Sequence, residues 1–269
     1  MTRDRPPNPP QAPTGASRVF MILRVGQSPS KLSIARYGKH LDLLEVRLDN
    51  GAPRKRTLET MKSEAPARLA FAVLLPKHLG ALETDVTEAD VTPTIETARG
   101  LGARFIVVRT PPTARPGTRT RARLGKLIEL LKAAEVAIVW EPTGLLAEAD
   151  AEVLAESLGV ILARDPARDD LPEGPVAYGR ISSLGSGGRV RGSAIERAAD
   201  RLAGFAEAYI VIEGDNALRA AKELRGLLGS GENGAADEAD LDDEEDDLEE
   251  GEEGDLEDDD EDEDEDEES

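Results

Sequence analysis

Eight short β-rich runs recur along the chain with helix-patterned segments between most of them, and this alternation limits the fold more than any other feature. The runs are 18–25 "RVFMILRV", 41–48 "LDLLEVRL", 68–75 "RLAFAVLL", 103–109 "ARFIVVR", 136–140 "VAIVW", 159–163 "GVILA", 176–181 "VAYGRI" and 208–213 "AYIVIE". Apolar residues at helical spacing mark 120–134, 147–157, 194–206 and 215–228. Strands alternating with helices imply an α/β fold closed as a parallel (β/α)8 barrel. A span of about 210 residues lies near the lower limit for that fold, so the expectation is a trimmed TIM-like barrel with some helices missing. An open doubly wound sheet is the alternative, but no G-x-G-x-x-G follows the first run.

The ends differ from the middle. Five prolines in residues 1–17 forbid regular helix and sheet ladders there, so this leader is expected to be disordered. The barrel is assigned to 18–229. From 230 to 269 the chain is an acidic tail, with 27 Asp and Glu between 231 and 269 and no Lys or Arg. Like charges repel and little there is apolar, so the tail is also expected to be disordered. The net charge of −22 belongs to the tail, because the rest of the chain holds all 33 basic residues against 28 acidic ones. With no cysteine and only His40 and His78, disulfide, zinc-thiolate and His-cluster metal sites are not expected. The N-terminus lacks an apolar signal region and no run is long enough to span a membrane. The chain reads as a cytoplasmic protein with no membrane association.

Side chains alternate along a strand, so one phase of a barrel strand faces the helices and the other the interior. In the second run Leu44, Val46 and Leu48 form an outward phase, which turns Leu43, Glu45, Arg47 and Asp49 inward. The same reading places Arg109, Glu141, Asp165, Arg180 and Glu213 at or near the C-terminal ends of later runs. Active sites of this fold lie at that end. One reading is a pocket in which Arg47, Arg109 and Arg180 bind an anion while Glu45 and Glu141 are the candidate catalytic acid and base, with Asp165 and Glu213 alongside. The other is that these charges pair with one another, since a buried charge needs a partner.

Two further segments carry charge. The glycine-rich loop "SSLGSGGRVRG", 182–192, follows the seventh run, where barrels often bind phosphate, and contributes Ser182, Arg189 and Arg191 as ligand-binding candidates. Its glycines also suit a loop of tight turns. The segment 109–126 holds Arg109, Arg115, Arg119, Arg121, Arg123 and Lys126 with no acidic residue and no aromatic to stack on bases. It reads as a surface for nucleic acid or the acidic tail, or as a solvated basic loop. No cofactor motif, P-loop, nucleophile elbow or H-E-x-x-H occurs.

Together "LDLLEVRLDN", "LAFAVLLPKHL", "FIVVRTPPTARP", "VAIVWEPTG", "LARDP", "VAYGRISSLG" and "AYIVIEGDNALRAAKEL" resemble the domain of unknown function 72 (DUF 72) family over roughly residues 20–228. The resemblance implies a barrel related to (β/α)8 folds. Leu44, Glu45 and Val46 match the family's second-strand pattern, with Arg47 where Asn is expected. Trp140, Glu141, Pro142 and Gly144 match Trp-Glu-Pro-Arg-Gly, with Thr143 at the arginine. Tyr178 and Arg180 match Tyr-x-Arg-x-His-Gly, with Ser182 and Ser183 in the last two places. Asp165 and Pro166 match the pair after the sixth strand. The replaced types are those that bind anions or move protons, so the resemblance implies weak or no catalysis, while Arg47, Arg109, Arg180 and the 185–191 loop carry the expectation of a phosphate-bearing or nucleic-acid ligand. The competing expectation is a non-catalytic interaction protein whose tail recruits a basic protein partner or shields the basic surface.

Overall fold

The computed structural model describes residues 21–28, 33–148, 150–183 and 188–229. The expected leader and the acidic tail both lie outside the described residues. Eight strands are present: β1 (Ile22–Gln27), β2 (Leu43–Arg47), β3 (Ala70–Leu74), β4 (Phe105–Thr110), β5 (Ala137–Pro142), β6 (Ile161–Leu162), β7 (Val176–Ser182) and β8 (Glu207–Glu213). Between and after them run α1 (Ile34–His40), α2 (Lys55–Glu64), α3 (Lys77–Gly80), α4 (Glu88–Leu101), α5 (Thr118–Leu131), α6 (Leu145–Glu148), α7 (Ala151–Leu158), α8 (Gly192–Leu202) and α9 (Ala217–Leu227). Every strand pair is parallel. The barrel is trimmed between β6 and β7, where residues 163–175 contain no helix. Arginines from α8 hold that connection, Arg197 Nε donating to the Ala167 carbonyl at 3.0 Å and Arg201 Nη1 to that of Pro166 at 2.8 Å.

The strands form two ladders, β1-β8-β7 and β2-β3-β4-β5-β6, joined at two seams. At the β6/β7 seam a parallel bridge links Arg164 and Gly179, with the Arg180 N–H donating to the Arg164 carbonyl at 3.1 Å. At the β1/β2 seam the Asp42 N–H donates to the Val25 carbonyl at 3.1 Å, and the Val25 N–H returns a bond to Asp42 Oδ1 at 2.6 Å. Tyr37 of α1 completes this seam, its hydroxyl donating to the Leu43 carbonyl at 2.6 Å and accepting from the Gln27 N–H at 2.9 Å. Burial drives the Tyr37 phenol well above its ordinary value, so it stays protonated as the donor.

Two apolar clusters follow from the strand alternation. The larger lies between strands and helices and includes Val46, Leu48, Val73, Trp140 and Ile210. The smaller fills the barrel interior, with Leu43, Leu74, Val107, Val139 and Val211. Toward the N-terminal ends the interior closes on Phe105, which meets Tyr178 and Tyr209 edge to face at centroid distances of 5.4 and 4.6 Å. Arg104 caps this plug at 5.2 Å from the Tyr209 ring and pairs with Glu207. The interior is therefore packed below and polar only above.

Gly26 sits at the β1/β2 seam where a side chain has no room, since an added Cβ would lie 2.1 Å from the Leu43 carbonyl oxygen and 3.1 Å from the Tyr37 hydroxyl. Gly26→Ala should therefore part the seam and cost roughly 1–3 kcal/mol in urea unfolding, as overpacking does. An unchanged midpoint would show that the seam relaxes freely.

Candidate functional site

The inward phase read from the second run is the one the structure adopts. Leu43 lies in the interior cluster, Val46 and Leu48 in the outer one, and Glu45 and Arg47 face the C-terminal mouth. Register delivers the partners. Arg109 of β4 is paired with Glu141 of β5, and Ser182 of β7 with Glu213 of β8. Six charged side chains meet here: Glu45, Arg47, Arg109, Glu141, Arg180 and Glu213.

Arg180 is the centre of the ring. Its side chain is 3% exposed, and it donates from Nη2 to Glu45 Oε2 at 2.7 Å, from Nε to both Glu141 oxygens at 3.0 Å, and from Nη1 to Glu213 Oε1 at 3.1 Å. Burial alone would pull the guanidinium's pKa down, but Glu45 and Glu141 more than reverse this and hold it charged. Arg109 adds Nε to Glu141 Oε1 at 3.1 Å and Nη1 to Glu213 Oε1 at 3.5 Å. Arg47 donates from Nε to Ser28 Oγ at 2.9 Å and from Nη2 to Glu213 Oε1 at 3.2 Å. Three guanidiniums face three carboxylates, so the charges pair as the second reading of the sequence expected.

The carboxylates are not equivalent. Glu45 is the deepest, accepting from Tyr178 Oη at 3.4 Å, and its Oε1 makes no hydrogen bond among the described residues. Burial pushes the Tyr178 phenol far up, which keeps it a donor. Burial also pushes the Glu141 carboxyl above its ordinary value, against the pull of Arg180 and Arg109. Glu213 is the most open of the three, its side chain 24% exposed, and its Oε2 accepts from Ser182 Oγ at 3.2 Å.

Two cavities open at the mouth and share Arg109. The larger, of about 510 Å³, is lined by Ser28, Arg47, Lys77, Arg109 and Glu213 among others. The second, of about 300 Å³, is bordered by Glu141, Asp165, Arg168 and Arg180. Asp165 accepts from the Ala167 N–H at 2.9 Å and pairs with Arg168 at 3.2 Å, and burial raises its carboxyl above the ordinary range. Asp49 lies outside the ring, accepting from the Lys77 N–H at 2.9 Å. Arg189 and Arg191 are exposed and line neither cavity, while residues 184–187 of their loop lie outside the described residues. Ser28 and Lys77 are participants the sequence reading missed. Ser28 stands one residue past the end of β1 in its inward phase, which was a legible signal, whereas Lys77 carries none.

No group of three or more His, Cys, Asp and Glu side chains among the described residues is arranged to hold a metal ion. The three glutamates converge on a guanidinium instead, whose charge would repel a divalent cation placed among them.

These features define a class, a trimmed (β/α)8 barrel with a self-paired ionic ring at its C-terminal mouth. No protein-family model matches the chain, and no curated protein matches its sequence. The structure is similar to that of a DUF72 family protein from Enterococcus faecalis, with a TM-score of 0.63 and 14% identity over 78% of this chain and 98% of that one. It is also similar to a DUF72 family protein from Thermotoga maritima, with a TM-score of 0.54 and 15% identity over 77% and 99% of the two chains. A xylose isomerase domain containing protein from Salmonella typhimurium gives a TM-score of 0.52 and 14% identity over 79% and 96%. The fold is thus that of DUF72 and xylose-isomerase-like barrels.

Arg180→Met would leave three buried or half-buried carboxylates without their shared cation and should destabilise the barrel by about 3–5 kcal/mol in urea unfolding. Arg180→Lys should recover only part of this, because an ammonium cannot bridge three carboxylates in a plane. A loss under about 1 kcal/mol for both would mean the ring relaxes around the gap. Glu141 makes a pH prediction. Its folded carboxyl holds a proton more tightly than an unfolded one, so its contribution to stability is full below the ordinary value of 4.5 and falls as pH rises through the raised one. Glu141→Gln should remove that decline, and matching pH–stability curves for the two proteins would contradict the assignment.

Proposed function

We propose that the barrel binds a small phosphate-bearing molecule at its C-terminal mouth, with Arg47 and Arg109 as the groups that receive the anion. One observation carries this reading. Both guanidiniums line the 510 Å³ cavity, both side chains are about a third exposed at 31% and 36%, and each keeps an outer nitrogen, Arg47 Nη1 and Arg109 Nη2, with no hydrogen bond among the described residues. A cavity of this size suits a metabolite rather than a polymer. Lys77 on the rim is 83% exposed and its Nζ lies 3.7 Å from Asp49 Oδ2.

The same geometry argues for binding with weak or no catalysis. Glu45 and Glu141 are both bonded to Arg180 and neither lines the larger cavity, so neither is presented to a ligand held there. Nucleic acid is the less supported ligand. Among the described residues no aromatic side chain lines the larger cavity, and in the basic segment Arg121 pairs with Asp150 and Arg123 with Asp85. The interaction-protein reading rests on the acidic run at 231–269 alone.

Calorimetric titration of the full chain with sugar phosphates, nucleotides, oligonucleotides and orthophosphate at low salt tests the proposal. A phosphate-bearing small molecule should bind and protect the barrel against heating, by about 2.7 kcal/mol at a hundred times its Kd. Arg47→Gln and Arg109→Gln should each weaken binding roughly tenfold or more. Binding of oligonucleotides alone would move the ligand to the surface. No binding across the panel, together with capture of polylysine that is lost on deleting residues 231–269, would favour the interaction role.

A further inference from the structure

Glu213 occupies the position that an incoming oxyanion would take. One oxygen, Oε1, faces all three ring arginines: Arg180 Nη1 at 3.1 Å, Arg47 Nη2 at 3.2 Å and Arg109 Nη1 at 3.5 Å. Its other oxygen accepts from Ser182 Oγ at 3.2 Å. Convergence of three guanidiniums on one oxygen is the arrangement by which proteins hold a carboxylate or phosphate oxygen. Here the chain supplies that oxygen itself.

Position and charge separate Glu213 from the other two glutamates. Glu45 and Glu141 side chains are 1% and 9% exposed, whereas Glu213 is 24% exposed and lines the larger cavity beside Arg47 and Arg109. It is the last residue of β8, so its side chain leaves the barrel where the strand ends. The ring is balanced, three arginines against three glutamates. An oxyanion added to a balanced ring leaves one negative charge unmatched, and one that replaces the Glu213 carboxylate does not.

We infer that Glu213 is a built-in competitor: the ligand's oxyanion binds by displacing the Glu213 carboxylate from the three arginines into the solvent of the mouth. This rests on the mouth being the anion site proposed above and names the residue that sets its affinity. A ligand group of one negative charge only replaces what Glu213 supplies, whereas a phosphate monoester with nearly two brings additional attraction to the arginines. Glu213 touches the arginines rather than any reacting atom and is a positioning residue.

The test is titration of the full chain with orthophosphate, and with acetate as the carboxylate probe, in the wild type and Glu213→Gln. Removing the competing charge should tighten orthophosphate binding at least about tenfold, and the gain should vanish when Arg47→Gln is added, as coupled residues in a double-mutant cycle require. Acetate affinity should rise by a similar factor in the same variant, because both probes are relieved of the same competitor. Equal or weaker binding by Glu213→Gln, beside a wild type that binds, overturns the competitor role and leaves the anion site standing. No binding by either protein overturns both. If Glu213→Gln does not unfold cooperatively, Glu213→Asp takes its place. It keeps the charge but is one methylene too short to reach all three arginines, so an intermediate gain supports the inference and unchanged affinity refutes it.

Discussion

The buried guanidinium of Arg180 is the constraint on which the rest of the barrel mouth depends. A cation taken out of water must be met by anions with good geometry, and here they come from β2, β5 and β8, so one side chain on β7 joins strands from both ladders across the interior. Its value to the fold lies in specificity more than in net stability, since an apolar set replacing Arg180 and its glutamates together could fill a core at least as well. A one-residue slip of β7 would turn Arg180 into the apolar layer beneath the helices and strand three carboxylates inside. The ionic ring therefore admits one register for the strands that carry it.

The aromatic plug beneath the ring makes this constraint strict. Phe105, Tyr178 and Tyr209 pack edge to face in the lower interior, while the charges open to the cavities at the mouth. Tyr178 belongs to both layers, its ring packed on Phe105 and its hydroxyl on Glu45. Charges with a dry floor and a wet roof attract one another more strongly at depth than at the rim. That gradient accounts for the roles within the ring: Arg180 and Glu45 are held fast, while Arg47, Arg109 and Glu213 sit where exchange with a solute is feasible.

Strand identity and phase were legible because alternation is a local property. The spacing of Leu44, Val46 and Leu48 was enough to turn Glu45 and Arg47 inward, and the same logic carried to Arg109, Glu141, Arg180 and Glu213. Four helices were harder to read. The second exposes most of its polar sequence "KRTLETMKSE" and buries only Leu58, and the fourth contains Pro93 and several threonines. Its start did carry a signal, Thr87 and Asp90 in a capping box, with the Thr87 N–H donating to Asp90 Oδ2 at 2.8 Å. Arg189 and Arg191 were proposed from composition in a loop, where no period assigns a direction, and the structure leaves them exposed outside the cavities. Lys77 reaches the mouth through the connection after β3, a tertiary fact with no local trace.

Departures from the DUF 72 pattern acquire meaning in this geometry. Arg47 stands where that resemblance expects asparagine, and it binds Ser28 and Glu213. Thr143 stands where arginine is expected and donates to the Thr110 carbonyl at 2.6 Å, adding no charge at the mouth. Ser182 replaces a histidine and donates to Glu213. Arg47 thus adds a cation to the mouth while Leu74, Thr143 and Ser182 stand where the resemblance expects lysine, arginine and histidine. A balanced ring has little attraction for an anion at long range. Under the proposed anion binding, capture depends on exchange with the Glu213 carboxylate already in place. On that proposal the charge of the ligand counts for more than its shape, because the guanidiniums are already arranged and only the identity of the anion among them is open.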